Sequence, residues 1–202
     1  MPTPDGHVDG DATAALRRSA RHARRSLDDR ARAAAEDLIC DGLVSLEELS
    51  HPGRVGWYLA TDGEVDLAAA ARQLRSLGTE LWLPVVGASR SMTFAAWAPG
   101  TALEPNRFGI AEPVHSPHDL VEAGALDAVV VPCVAVDPQG HRVGFGAGYY
   151  DRALAGASRT ARIGVAFEVQ VVDQLQPAPW DVPLDVVVSE ARIIRPDAND
   201  PG

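Results

Sequence analysis

Residues 127–137 constrain the fold more than any other part of the chain. Between Asp127 and Asp137 the sequence reads Ala-Val-Val-Val-Pro-Cys-Val-Ala-Val, which is apolar throughout. A strand that apolar has both faces buried, as in a parallel sheet covered by helices on its two sides. We therefore expect a central strand of an α/β protein here.

Similar short apolar runs alternate with helical patterns along the chain. We predict further strands at residues 54–60, 80–86, 92–98, 162–167 and 184–189. Helices are predicted from Thr13 to about residue 49, with a break near residues 26–29, and from Asp66 to Leu77. This alternation predicts an α/β fold: three layers, with a mostly parallel, Rossmann-like central sheet and helices on both faces. Ligands of such folds bind at the carboxyl ends of the strands.

Polar segments rich in Pro, Gly and Asp flank the patterned region. We expect residues 1–12 and 196–202 to be disordered tails around a single domain at 13–195. The two cysteines, Cys40 and Cys133, lack metal-type spacing and are interpreted as reduced, buried thiols.

Charge and hydropathy limit the partners. The net charge is −10, which gives no general attraction for nucleic acid or anionic lipid. No apolar run approaches the roughly 20 residues of a membrane helix, and the amino terminus has no hydrophobic signal region. We expect a cytoplasmic protein, favour a monomer, and expect a small-molecule substrate with no nucleic-acid or membrane partner.

Three glycines mark a candidate binding loop. Gly144, Gly146 and Gly148 alternate after the apolar strand and precede a predicted helix start at Tyr149. Glycines let backbone N–H groups approach an anion closely, and a helix start favours phosphate. On spacing alone, a purely structural tight loop is an equal alternative, because the pattern is neither G-x-G-x-x-G nor a P-loop.

Charged residues on both sides of this loop fit phosphate chemistry. Asp151 could hold Mg²⁺ directly or through water. Arg142 and Arg152 could pair with phosphates, although ordinary surface charge would explain either arginine alone.

The whole segment 142–152, Arg-Val-Gly-Phe-Gly-Ala-Gly-Tyr-Tyr-Asp-Arg, resembles the signature of 5-formyltetrahydrofolate cyclo-ligases, also called methenyltetrahydrofolate synthetases. Further blocks agree in order and spacing, and they lie at residues 16–27, 58–66, 83–94, 108–113 and 180–185. The resemblance covers roughly residues 13–190, which is nearly the whole chain.

The resemblance implies MgATP-dependent cyclisation of 5-formyltetrahydrofolate to 5,10-methenyltetrahydrofolate, with release of ADP and phosphate. Phosphorylation makes the formyl oxygen a good leaving group, and the second folate nitrogen then closes the ring. Such an enzyme must hold the γ-phosphoryl group in line with that oxygen and neutralise developing charge.

The resemblance also assigns residues to roles. Its catalytic residues would be Arg142, Tyr149 and Asp151, and its Mg²⁺ carboxylates Asp151 and Asp181. Its ATP contacts would be Arg17, Arg142, Val143, Gly144, Phe145, Gly146, Ala147, Gly148, Tyr149 and Tyr150. Its folate contacts would be Leu59, Glu64, Phe108, Phe145, Gly146, Ala147, Gly148 and Tyr149.

Several of these residues have plainer interpretations that stay open. The arginines around Arg17 could form a solvated helix face. Glu64 could cap or flank the helix near Asp66, and Asp181 could be a turn residue. Leu59 and Phe108 fit either the core or a pocket wall.

One departure from the family pattern bears on ATP. The family usually has a lysine three residues before the leucine of the Leu16-Arg17 pair, where this chain has Thr13. The first hypothesis is an active cyclo-ligase with a raised KM for ATP. The second is a homologue that binds folate or nucleotide without turnover. A dinucleotide oxidoreductase is a third, but the chain lacks its first-strand fingerprint.

Overall fold

The computed structural model describes residues 8–51 and 53–196, with side chains from Ala12 onward. Its α-helices are α1 (Val8–Arg25), α2 (Asp29–Val44), α3 (Ala68–Ser76) and α4 (Tyr149–Leu154). Its β-strands are β1 (Arg54–Gly56), β2 (Glu80–Val86), β3 (Met92–Ala96), β4 (Leu103–Pro105), β5 (Ala111–Pro113), β6 (Leu120–Val121), β7 (Ala128–Pro132), β8 (Ala135–Val136), β9 (Arg142–Val143), β10 (Ala161–Val165), β11 (Val186–Val188) and β12 (Ile193–Ile194). No helix in the described part of the chain combines the length and apolarity that a bilayer crossing needs.

The main sheet has the strand order β12-β11-β10-β7-β1-β2-β3-β6. Its centre, from β11 to β2, is parallel, whereas β12, β3 and β6 pair with their neighbours in antiparallel fashion. In register, Val55 of β1 lies beside Ala128 of β7 and Leu81 of β2. The predicted mostly parallel α/β sheet is confirmed.

Helices cover both faces of the sheet, which also confirms the three layers. On one face, Ile39 and Leu43 of α2 join the strand residues Val130 and Ile163 in one buried cluster, together with residues of α3. On the other face, Leu154 of α4 belongs to a second cluster with residues of β3, β7 and β11. Truncating such a side chain to alanine typically costs about 2–5 kcal/mol, so the two clusters fix the positions of the helices.

The amino-terminal helices differ from the prediction mainly at their start. Helix α1 begins at Val8, so the predicted start at Thr13 lies inside the helix. The predicted tail at 1–12 is therefore wrong over residues 8–12, while residues 1–7 and 197–202 lie outside the described part. The predicted break near residues 26–29 is confirmed, because α2 begins at Asp29 and Asp28 caps it by accepting a hydrogen bond from Ala31 N.

The long apolar run does not form one strand. After β7 ends, Gln170 Nε2 donates to the carbonyl oxygens of Cys133 (2.8 Å) and Val134 (2.7 Å). This buried side chain replaces strand partners for the two carbonyls, so the chain can leave the main sheet without unpaired acceptors. It continues as the hairpin of β8 and β9, which carries Arg142 and the three glycines to the carboxyl edge of the sheet.

Both cysteines are buried and free, as predicted. Burial raises the pKa of the Cys133 thiol to about 12, so this side chain stays protonated at neutral pH and packs as a small apolar residue.

Candidate active site

The predicted site residues lie along the carboxyl edge of the parallel strands. The hairpin with its glycine segment follows β7, and the turn that contains Leu59 and Glu64 follows β1. Helix α1 lies over the hairpin, since Leu16 and Ala20 pack against Val134, Ala135 and Val143. This is the edge at which ligands of such folds bind.

The glycine loop, residues 144–148, uses backbone conformations that favour glycine. Gly146 has φ +97° and Gly148 has φ +66°, where Gly148 is also the residue that precedes α4. Other residues rarely adopt these left-handed conformations. Arg17 Nε donates to the Gly144 carbonyl oxygen (2.8 Å), and a Cβ on Gly146 would lie 3.5 Å from the Arg17 guanidinium carbon. The predicted Arg17 is thus in contact with the predicted loop.

Arg142 and Asp151 form a largely buried ion pair behind the loop. Arg142 is 8% exposed, and its Nη2 lies 2.5 Å from Asp151 Oδ1. The same oxygen accepts a hydrogen bond from Val182 N (3.2 Å), and Arg142 Nη1 donates to the Val182 carbonyl oxygen. A buried guanidinium therefore has a matched carboxylate, and the segment at 180–185 is tied to α4.

The segments of the two predicted Mg²⁺ carboxylates, Asp151 and Asp181, are joined by one hydrogen bond although they lie far apart in sequence. Asp181 directly precedes Val182, which bonds to Asp151, and Asp181 Oδ2 accepts from Ala178 N (2.9 Å). Among residues 8–51 and 53–196, no cluster of three or more His, Cys, Asp or Glu side chains could hold a metal. One or two carboxylates that complete their shell with substrate phosphates are the donor set that Mg²⁺ prefers. The residues present fit this ion.

Aromatic side chains flank the loop on its outer side. Arg107 Nη2 donates to the Tyr149 hydroxyl (2.7 Å), and the rings of Phe108 and Tyr149 meet edge to face at 6.2 Å. Phe108 is 56% exposed, so its interpretation as a core residue is wrong. Tyr149 and Tyr150 both pack against the second core cluster, and burial raises the pKa of the Tyr150 phenol well above its usual range.

The turn after β1 presents a buried carboxylate. Glu64 is 7% exposed, and its Oε2 accepts from Thr61 N (2.9 Å) and Thr61 Oγ1 (3.2 Å). Desolvation raises the pKa of Glu64, while the Thr61 hydrogen bonds and the nearby Arg24 charge oppose that rise. Glu64 does not cap α3, because Asp66 accepts from Ala68 N. Leu59 is half-buried and packs against the core on the α2 side.

The arginine run of α1 contains site-facing residues that sequence reasoning missed. Arg21 Nε (2.7 Å) and Arg24 Nη2 (3.0 Å) both bond to Asp62 Oδ2, and Arg24 is fully buried. The solvated-face interpretation is therefore wrong for Arg24. The available signal was the i, i+4, i+7 spacing of Arg17, Arg21 and Arg24, which places all three on one face of a helix.

The arrangement suits an anionic ligand beside a polar ring system. Arg17 and the buried Arg142 place positive charge at a glycine-rich loop, and positive charge beside such a loop is the composition of a phosphate site. Arg24 of α1 connects the turn that contains Glu64 with the glycine loop, because it contacts both Asp62 of that turn and the Phe145 ring.

Comparison with known proteins gives one consistent result. Residues 9–190 match the 5-formyltetrahydrofolate cyclo-ligase family. The chain is similar to the 5-formyltetrahydrofolate cyclo-ligase of Escherichia coli K12, with 34% identity over 143 residues, or 69% of this chain and 79% of that protein. It is 31% identical over 159 residues to the Haemophilus influenzae protein of the same name, which covers 76% and 85% of the two chains. The solved Aquifex aeolicus 5,10-methenyltetrahydrofolate synthetase superposes with a TM-score of 0.80 and 33% identity, over 93% of this chain and 94% of that chain.

Proposed function

This chain belongs to the 5-formyltetrahydrofolate cyclo-ligase family, and we propose that the carboxyl edge of its sheet is the site of that reaction. The enzyme is an ATP-dependent ligase that converts 5-formyltetrahydrofolate to 5,10-methenyltetrahydrofolate. Its substrates are therefore a folate and ATP. The roles of single residues and the use of Mg²⁺ are proposals that come from the family resemblance, and the contacts described above support them.

The glycine loop would hold the ATP phosphates. Gly144, Gly146 and Gly148 would expose backbone N–H groups to the phosphate oxygens. Arg17 would supply charge from above the loop, where it already bonds to the Gly144 carbonyl oxygen. Arg142 would supply charge from below and stabilise the phosphoryl group as it leaves ATP.

Asp151 and Asp181 would hold the Mg²⁺ ion that accompanies ATP. The Asp151 contacts to Arg142 and Val182 both use Oδ1, so Oδ2 would be the ligand atom. When bound, the ion would neutralise charge on the phosphates. Arg142 orients the Asp151 carboxylate for this task through the 2.5 Å ion pair.

The folate would lie between the turn of Leu59 and Glu64 and the aromatic side of the loop. Glu64 is an acceptor in a nearly dry environment, which makes its hydrogen bonds to ring N–H groups strong and specific. Leu59, Phe108 and Tyr149 would provide apolar and edge contacts to the rings. Tyr149, held by Arg107, would orient the formyl group against the γ-phosphorus.

The observation that carries this proposal is the contact of Arg17 with Gly144 of the glycine loop, whose two flanking residues Arg142 and Asp151 form an ion pair. Arg17 contacts the loop from a distant part of the chain, and Arg142 lies two residues before the loop, paired with a carboxylate of the type that binds Mg²⁺. A buried guanidinium costs several kcal/mol in desolvation, so its place beside the loop favours a role in binding over a purely structural one.

The test is turnover by the purified chain. MgATP and 5-formyltetrahydrofolate should give the near-ultraviolet absorbance of the methenyl product, together with one ADP for each product. Omission of Mg²⁺, with EDTA present, should remove the activity, and restoring Mg²⁺ should return it.

A non-catalytic homologue is the second candidate function, and Thr13 is the observation that favours it. Thr13 is half-buried on α1, one helical turn before Arg17, where the resemblance places a lysine. If folate binds but no product forms at millimolar ATP, the chain is a binding protein and the catalytic assignment fails.

A further inference from the structure

Asp62 gathers three arginines of one helix around a single carboxylate. Arg21 Nε (2.7 Å) and Arg24 Nη2 (3.0 Å) contact Oδ2, and Arg25 pairs with Oδ1. Arg24 Nε also donates to the Asp62 carbonyl oxygen (3.1 Å). Asp62 has φ +53°, a left-handed conformation that aspartate and asparagine tolerate better than most residues.

The same arginines reach the glycine loop. The guanidinium carbons of Arg21 and Arg24 lie 5.5 Å and 5.6 Å from the centroid of the Phe145 ring. One turn earlier on the helix, Arg17 bonds to Gly144. A continuous face of α1 therefore connects the turn at residue 62 with residues 144–146 of the loop.

The Phe145 ring lies against these two cations. Its ring is 50% exposed, so core packing holds only part of it. Two guanidinium groups against one ring give cation–π contacts that fix the ring where an exposed aromatic side chain would otherwise change rotamer. The loop that carries Phe145 contains Gly144 and Gly146, and such a backbone needs outside contacts to keep one conformation.

Asp62 in turn keeps the arginines in place. Arg24 is fully buried, and a buried cation stays in a folded chain only when it is paired. Around Arg24, the facing charged groups are Asp62 and Glu64 from the turn, and Arg21 and Arg25 from its own helix. With two neighbouring cations repelling it, Arg24 needs the Asp62 carboxylate more than an isolated arginine would.

We propose that Asp62 is a positioning residue for nucleotide binding, which holds Arg21 and Arg24 against Phe145 and so keeps the glycine loop in its binding conformation. This inference rests on the proposed function, because the loop is taken as the ATP site. Asp62 would act through the arginines that it pairs with, and not through contact with a substrate. Thr61 and Glu64 belong to the same turn as Asp62. This turn therefore contacts both the proposed folate site, through Glu64, and the α1 arginines beside the proposed ATP loop.

The test is a double-mutant cycle between Asp62→Asn and Phe145→Ala, read as the Kd for MgATP by titration calorimetry. Asparagine keeps the shape and the left-handed backbone but removes the charge. We expect Asp62→Asn to weaken binding about tenfold in the wild-type background and less than about twofold in the Phe145→Ala background. A tenfold loss in both backgrounds, or no loss in either, overturns the inference.

Control variants separate this effect from general destabilisation. Glu48→Gln also removes a carboxylate that pairs with an arginine, Arg195, and it should leave the Kd unchanged. If Asp62→Asn does not fold, Arg21→Gln replaces it, because Arg21 is half-exposed and lies in the same network. Arg21→Gln should weaken binding by about threefold and lose that effect in Phe145→Ala; an unchanged Kd contradicts the proposal.

Product formation is scored separately on the wild-type chain. A chain that binds MgATP without making product contradicts the proposed function, but the Kd values of the Asp62 and Phe145 variants still decide the inference about Asp62. A wild-type chain that binds no MgATP contradicts both.

Discussion

The two edges of the central sheet handle charge in opposite ways. At the amino edge, Arg54 N bonds to the exposed Asp127 carboxylate (2.7 Å), and the Arg54–Glu80 pair is open to water, with side chains 51% and 65% exposed. At the carboxyl edge, Arg24 and Arg142 are buried and share their carboxylates with other donors.

The difference shows that the desolvation of charged groups destabilises the fold at the carboxyl edge and hardly at all at the amino edge. Exposed pairs such as Arg54–Glu80 contribute little and cost little. Buried charges require several kcal/mol of desolvation each, which good geometry only partly offsets. Burial alone does not identify function, however, because the fully buried Asp137 bonds to the backbone N–H groups of Gln139, His141 and Leu175. Its Oδ2 also lies 3.0 Å from His141 Nδ1. Asp137 is a structural acceptor, whereas Asp151 bonds to a cation in the proposed site.

The largest expected difference between the edges comes from replacing one aspartate at each. Asp151→Asn should lower kcat/KM about 100-fold or more, because it weakens the proposed Mg²⁺ ligand and leaves Arg142 without its countercharge. It should also lower the free energy of unfolding by about 2 kcal/mol. Product absorbance and urea denaturation measure the two effects.

Asp127→Asn is the matched change at the amino edge. It should leave kcat/KM within about twofold and cost less than about 1 kcal/mol of stability. If both variants lose activity equally, or if Asp151→Asn keeps its dependence on Mg²⁺ and full activity, the assignment of the carboxyl edge is wrong.

Glu64 extends the comparison to a second buried charge at the carboxyl edge. Burial of its carboxylate lowers the stability of the fold, and its proposed role is to bind the folate. Its folded pKa lies above the ordinary value of 4.5 through desolvation. Glu64→Gln should therefore raise the folate KM roughly 10- to 100-fold, since glutamine replaces an anionic acceptor. The same variant should be more stable than the wild type at neutral pH.

The sign of the stability effect follows from proton binding. Between pH 4.5 and its raised folded value, Glu64 binds more protons in the folded than in the unfolded chain, so wild-type stability falls as pH rises through that window. The Glu64→Gln gain in Tm should be full above the folded pKa and disappear below pH 4.5. A Tm difference that does not change with pH would show that the carboxyl charge is not its origin.

The sequence predicted the sheet well because strand burial leaves a local signal. Residues 80–86 form β2 as expected, and the apolar run at 127–137 contains β7 at the centre of the sheet. It could not predict where that run leaves the sheet, because the break depends on Gln170, a side chain far along the chain that bonds to the carbonyls of Cys133 and Val134.

The candidate site likewise contains residues that the sequence predicted and residues that it could not predict. The glycine pattern and its flanking charges were readable, since they lie together in segment 142–152. Asp62 and Arg24 were not, because their meaning depends on a contact between α1 and the turn after β1. A run of arginines near one end of a chain is ordinarily solvent-exposed, and only the tertiary contact distinguishes Arg24 from the exposed Arg18.

The smallest expected effect tests whether one more cation on α1 would strengthen ATP binding at the carboxyl edge. Thr13 is half-buried one turn before Arg17 on α1, so a longer cationic side chain there would extend along the same helix face toward the glycine loop. Thr13→Lys should lower the KM for ATP about three- to tenfold with little change in the folate KM, because it adds one charge-assisted contact to a phosphate. Ala15→Lys is the control, since it adds the same charge at an exposed position of α1 and should lower the KM less than twofold by general attraction alone. An equal decrease in both variants, which high salt then removes, would assign the effect to net charge and would leave Arg17 as the cation that α1 contributes to ATP binding.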